Sequence, residues 1–333
     1  MKKLRYNVLL LFILTLIVLF FVLKDDYNRI VDALLNSNLW YAVLAVIVII
    51  IGDVIKSISV HLIIKAEKPS YTLKNAISLT MKTNFFNGIT PFSLGGQPFQ
   101  LYILKKNDDI DYTTGVNILF KDFYSYQIAL VLLGTIFLII NNIFKLSTFT
   151  PIVKEFMIIA FIINWIIAIF LIYLPYSKGN AHKLVVGIIN FLNKIKIIKD
   201  KEKTINKIDV SINKFKRQIN EIIVNPKLIT KCILLSIVKI LSFGVSAGIC
   251  FFAVGVFNIE FTSAIIITTL ILTMASFIPI PGASGGMEFG FIALFGLFIV
   301  GPKLTAAMLL WRFTNYYLPM IWGAILVVFE KRK

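Results

Sequence analysis

The sequence predicts an all-α polytopic membrane protein: about six full transmembrane helices plus two re-entrant hairpins, in an inverted-topology repeat. Three observations predict this. Hydrophobic residues make up 58% of the 333 residues and mean hydropathy is +0.85, against about 45–50% apolar residues in soluble domains. Several apolar runs approach or pass the roughly 20 residues that cross a bilayer. Two further apolar stretches are broken by Gly and Pro, and the breaks stand in matching positions relative to their neighbours.

The first apolar run, 6–23, follows Lys2, Lys3 and Arg5 and ends in Leu23-Lys24-Asp25-Asp26. A signal peptide would have an apolar core of about 7–15 residues and a small-residue cleavage site. This run is longer and lacks such a site, so it reads as an uncleaved helix. Further helices are expected at 39–64, 114–140, 154–174, 228–256 and 304–329. The stretches 71–104 and 262–300 are the interrupted ones. Basic residues at the amino terminus, at Lys65, Lys68 and Lys74, at Lys105 and Lys106, and at the carboxyl end set the orientation, because cytoplasmic loops carry the excess of Lys and Arg. Both termini are then cytoplasmic in a multi-pass protein of the cell (plasma) membrane. An even number of crossings follows if each interrupted stretch enters and leaves on one side. The rival is that 262–280 and 287–300 each cross, but the latter is short for a span.

The chain reads as a single integral membrane domain, with 1–175 as a first repeat half and 228–333 as a second. Between them, 176–227 holds 12 Lys/Arg against 4 Asp/Glu. Ile205, Ile208, Ile212, Phe215, Ile219 and Ile222 recur there at steps of three and four, one apolar stripe on a basic helix. It suits the inner leaflet or a partner helix. The net charge of +17 therefore follows the positive-inside rule, and nucleic acid is not expected as a partner. No metal or cofactor is expected: Cys232 and Cys250 lie in one run with no His or Cys neighbour, and His61 and His182 are far apart.

The two breaks share Pro-x-x-x-Gly-Gly-x-x-Phe: Pro91, Gly95, Gly96 and Phe99, then Pro281, Gly285, Gly286 and Phe289. The offset of 190 also maps 39–64 and 114–140 onto later helices without a gap. Opposite entry of the two halves makes this an inverted repeat, the plan by which many transporters build one central site. Broken backbone is tolerated at membrane depth only where protein buries it or water reaches it. Its free amides suit an anion such as a phosphate. Glycines that simply pack helices closely are the alternative.

Charges inside apolar runs are functional candidates by default. Glu288 follows the second Gly-Gly, and Arg312 lies eight residues into the last expected helix, where the two can pair. The repeat places Asp122 opposite Arg312, and Lys121 beside it points to another helix face. Asp53 and Lys56 are three apart, which suggests an intrahelical pair. Lys231 suits the membrane surface, Lys239 is deeper, and Lys82 sits in the first hairpin.

At these residues, "NGITPFSLGGQPFQLYIL", "IPIPGASGGMEF" and "WRFTNYYLPMIWG" resemble the membrane region of the lysylphosphatidylglycerol synthase/flippase family. The resemblance implies a flippase-like protein that moves a phospholipid or lipid-linked anionic head group between leaflets. It carries over best at Glu288 and Arg312. The first motif departs from the family, with Gln97 and Gln100 where Glu and Arg are common. Bifunctional members carry a soluble synthase domain after the membrane region; with the chain ending at Lys333, no aminoacyl transfer, and no enzyme activity, is expected. The expected substrate-binding set is Glu288, Arg312, Pro281, Gly285, Gly286, Pro91, Gly95, Gly96, Gln97, Gln100, Lys121 and Asp122. Membrane lipids are the expected partners, and a homo-oligomer is compatible with the sequence. An accessory or catalytic subunit of lipid modification (glycosyl or aminoacyl transfer) and a small-anion secondary transporter are the alternatives.

Overall fold

The computed structural model describes residues 26–90, 96–144, 151–176, 225–276 and 281–330. Among these, every regular element is helical. Four helices are long and apolar enough to cross a membrane. They are α2 (Leu39–Glu67), α5 (Tyr112–Phe144), α6 (Pro151–Tyr176) and α7 (Pro226–Ala253). The expected helix at 6–23 and most of the basic segment at 176–227 lie outside the described residues.

The interrupted stretches form helical hairpins. The first has arms α3 (Leu73–Gly88) and α4 (Gly96–Asp108). The second has arms α8 (Phe261–Ala275) and α9 (Gly286–Phe295), with a 3-10 turn at Pro281–Ala283 between them. Each hairpin returns to the end where it began. Lys68, just before α3, donates to the carbonyl of Asp108 at the end of α4. Lys303, just after the second hairpin, donates to the carbonyl of Gly255, just before it, at 3.4 Å. Both hairpins are therefore re-entrant.

The last helical run starts at α10 (Pro302–Arg312), passes through a π-helical turn (Phe313–Tyr317) and ends as α11 (Leu318–Glu330). Phe313 and Leu318 keep right-handed helical dihedrals, so the run is continuous. A short helix, α1 (Tyr27–Leu35), occupies the acidic stretch after the first apolar run; it packs on α10 and buries Ile30. The sequence reading missed α1 because nine residues give too few turns for a clear period.

The 190-residue repeat is visible in the helix starts. Gly96 and Gly286 open α4 and α9, and Tyr112 and Pro302 open α5 and α10. The two halves are antiparallel. On α2 and α7, Asn38 meets Ala253, Ala45 meets Ser246, Asp53 meets Lys239 and Ser59 meets Cys232. Residue numbers rise on one helix as they fall on the other, as a two-fold axis across the pair requires. Gly52 and its repeat equivalent, Ser242, face each other on that axis; a Cβ at Gly52 would lie 2.3 Å from Ser242 Oγ. Small residues let the backbones approach this closely.

The hairpins exchange partners between halves. The first arm α3 packs on α11, where a Cβ at Gly323 would lie 2.2 Å from the Met81 carbonyl oxygen. The first arm α8 packs on α5, where Gly134 faces Thr273. The hairpins therefore hold the two repeats together, and each break is lined by both. Helix α6 stands outside the repeat and packs on α5 and α8.

Candidate functional site

The second break presents its polar groups inward. Gly285, with φ of +85°, ends the break and opens α9; that backbone region favours glycine because it has no Cβ. Glu288 sits in the first turn of α9 and accepts the Gly285 N–H at 2.7 Å through Oε2. The free N–H groups of a helix start favour an acidic side chain there. Its other oxygen, Oε1, accepts from Arg312 Nε at 2.7 Å. Both residues are buried. Arg312 Nη2 also donates to the Gly282 carbonyl at 3.2 Å.

Tyr316, one turn beyond Arg312, joins this cluster to the first break. The guanidinium lies 4.3 Å from the centre of its ring, within cation–π range. The Tyr316 hydroxyl donates to the carbonyl of Gly88, the last residue of α3, at 2.8 Å. Gly282, with φ of +59°, lies against the same ring: a Cβ there would fall 2.1 Å from Cε2. One aromatic ring is thus held between glycines of the two breaks, midway along the run 302–330. The π turn that carries Tyr316 is a feature frequent at functional sites. The buried Ser284 hydroxyl, also in the break, lies beside Tyr316.

The expected site residues divide into two groups. Glu288, Arg312, Gly285, Gly286 and the 3-10 turn opened by Pro281 form the cluster just described. The first-half residues gather elsewhere. Gly96 opens α4, and its N–H is taken by Asn87 Oδ1 at 2.9 Å, so a neutral amide from the opposite arm does there what Glu288 does in the second half. Gln100 is buried and lines a small recess with Asp122, Val60, Leu79 and Ile118, while Gln97 is half-buried. Pro91 and Gly95 lie outside the described residues.

Lys121 and Asp122 do point to different faces. Lys121 binds Glu67 at 2.8 Å and Asp122 binds Lys56. The expected intrahelical pair of Asp53 with Lys56 is not formed. Asp53 instead binds Lys239 of α7 at 2.8 Å, and Lys56 reaches α5. The reason is the close approach at Gly52, which brings Lys239 within reach of a buried carboxylate. A buried charge needs a partner more than an exposed one does, and a cross-helix lysine provides it without turning either side chain toward lipid.

One buried amide network escaped the sequence reading. Gln127 of α5 donates to Asn164 Oδ1 of α6 at 2.9 Å, and Asn164 Nδ2 donates to the Thr273 carbonyl and Ser276 Oγ at 3.2 Å each. Those acceptors lie at the end of α8, where helical carbonyls lack internal partners. The signal for it was a single Asn inside the apolar run 154–174.

Comparisons place these features in a wider group. A family model described as "Lysylphosphatidylglycerol synthase TM region" matches residues 7–323. A UPF0104 membrane protein of Methanocaldococcus jannaschii is 28% identical over 339 residues, covering 99% of this chain and 97% of that protein.

Proposed function

The chain belongs to the lysylphosphatidylglycerol synthase transmembrane-region family, and from that premise we propose that it is a lipid translocator. It moves a phospholipid or lipid-linked anionic head group between leaflets of the cell membrane. The observation that carries this reading is the buried Glu288–Arg312 pair, set at the start of a broken helix and joined to the other repeat through Tyr316.

A head-group phosphate competes with Glu288 for Arg312, whose planar fork can grip it through two bonds. The displaced Glu288 carboxylate keeps its bond to the Gly285 N–H at the start of α9. Binding therefore exchanges one partner of the guanidinium for another and never leaves Arg312 unpaired. Family kinship to a membrane region that serves lipid chemistry favours a lipid over a small water-soluble anion.

Native mass spectrometry of gently purified protein tests the substrate class. The expected spectrum carries an anionic phospholipid adduct, reduced in Arg312→Lys. Retention of the same adduct by that variant contradicts a phosphate at Arg312.

A further inference from the structure

We propose that the chain binds and exchanges a proton at the Asp53–Lys239 pair, and that this couples its transport cycle to a pH gradient. The coupling rests on the translocator reading; the proton site does not. Asp53 is the middle residue of α2 and Lys239 lies at the middle of α7. They are 2.8 Å apart, buried, and come from opposite repeats. They lie beside the contact of Gly52 with Ser242, at the crossing about which the halves are related.

The pair ends a ladder of titratable groups. Glu67, at the end of α2 next to Lys65 and Lys68, binds Lys121; its neighbour Asp122 binds Lys56; Asp53, three residues from Lys56, binds Lys239. Acids and amines alternate along it, bonded within each pair, while the steps from Lys121 to Asp122 and from Lys56 to Asp53 run between near neighbours on one helix. Carboxylate exposure falls inward along it, from 23% at Glu67 to 19% at Asp122 and 10% at Asp53. Structural ion pairs need no such order. Intramembrane carboxylates placed in a chain are the usual material of proton relays.

The elements packed on α2 bring further titratable groups, among them Lys231 and Cys232 on α7, Lys121, Asp122 and Tyr126 on α5, Lys82 on α3 and Tyr316 on the π turn, and the Tyr126 ring centre lies 5.7 Å from Lys56 Nζ. Lys239 is bonded to Asp53 and also lies 4.4 Å from the Phe243 ring centre. That ring gives the ammonium a second favourable contact when Asp53 is neutral. A metal cation is disfavoured, because the ammonium already occupies the carboxylate. A proton from the water at the Glu67 end bonds to the Asp53 carboxylate and makes a carboxylic acid. The Asp53–Lys239 attraction is then lost, and the pair carries one positive charge. Release of that proton to the other side, once the halves have moved, restores the pair. Protonation thus weakens one tie between the two repeats at their axis. The Phe243 carbonyl accepts from Trp311 Nε1 at 3.0 Å, which links Lys239's helix to the residue beside Arg312.

The test uses vesicles of purified protein with a head-group-labelled anionic phospholipid and a pH difference of one unit. One proton per lipid holds the leaflets at about a tenfold ratio, since one pH unit is a factor of ten. The variant Asp53→Asn/Lys239→Gln, which removes both charges and leaves neither unpaired, is expected to move lipid but hold a ratio of one. A ratio of one in the unmodified protein, or a tenfold ratio in the variant, overturns the coupling. If no lipid moves at all, it is the translocator reading that fails, and infrared difference spectra taken on acidification then decide the proton site. A protonated-carboxyl band that persists in Glu288→Gln but is lost in the Asp53/Lys239 variant supports it. Identical spectra from that variant and the unmodified protein overturn it.

Discussion

Glu288→Gln and Arg312→Lys are each expected to abolish phospholipid movement between leaflets in reconstituted vesicles, while both proteins still insert and fold. Glu288→Gln keeps an oxygen for the Gly285 N–H, so the start of α9 stays capped. It removes the charge opposite a guanidinium that is 3% exposed. Breaking such a buried pair from one side costs about 3–5 kcal/mol. Arg312→Lys keeps the charge but loses the bond to the Gly282 carbonyl and the stacking on Tyr316, about 2–3 kcal/mol together. Stability alone therefore does not separate a structural pair from a working one. The variant Glu288→Gln/Arg312→Gln does, because with both charges gone neither is left buried and unpaired. Thermal melting in detergent is expected to recover toward that of the unmodified protein, and lipid movement is not. Recovery of both makes the pair a matter of packing.

Gly282→Ala carries the second large effect. The new Cβ would fall within 2.4 Å of two ring carbons and the hydroxyl oxygen of Tyr316, at a φ of +59°. The left-handed backbone alone costs about 1–2 kcal/mol for a residue with a Cβ, and overpacking adds about 1–3 kcal/mol. The ring must move, and with it go the contact with Arg312 and the bond to Gly88. Gly255→Ala is the control: its φ is +73°, but its Cβ would meet only the flexible end of Lys303 at 3.6 Å. The expected outcome is a marked loss of melting temperature and lipid movement in Gly282→Ala, with a small stability loss and normal movement in Gly255→Ala. Equal effects in both variants would assign the loss to backbone strain and remove Tyr316 from the account.

Much of the architecture was legible because the bilayer leaves few options. Uninterrupted apolar runs of sufficient length mark α2, α5, α6 and α7, and Gly-Pro breaks mark the hairpins, since only special backbone tolerates them. The repeat was legible in Pro281–Gly286 because turn residues are held by backbone geometry and not by partners. Glu288 and Arg312 stood out as charges in apolar surroundings. Partner choice was less legible. Asp53 and Lys56 suggested each other through spacing on one helix, yet each found a partner across a helix contact. That contact depends on Gly52 facing Ser242, which is a statement about two distant segments. Gln127 and Asn164 are single amides with no periodic signature, and their role appears only when α6 meets the end of α8. The one-ring bridge at Tyr316 was hidden for the same reason: it joins Gly88 to Gly282 across the pseudo-symmetry.

The most direct measurement is the accessibility of a head-group-labelled anionic phospholipid, placed in both leaflets of vesicles of the purified protein, to a membrane-impermeant quencher added outside. The account predicts that all of the label is lost with the unmodified protein, and only the outer half with Glu288→Gln. Protection of the inner half by the unmodified protein as well, matching protein-free vesicles, would contradict it.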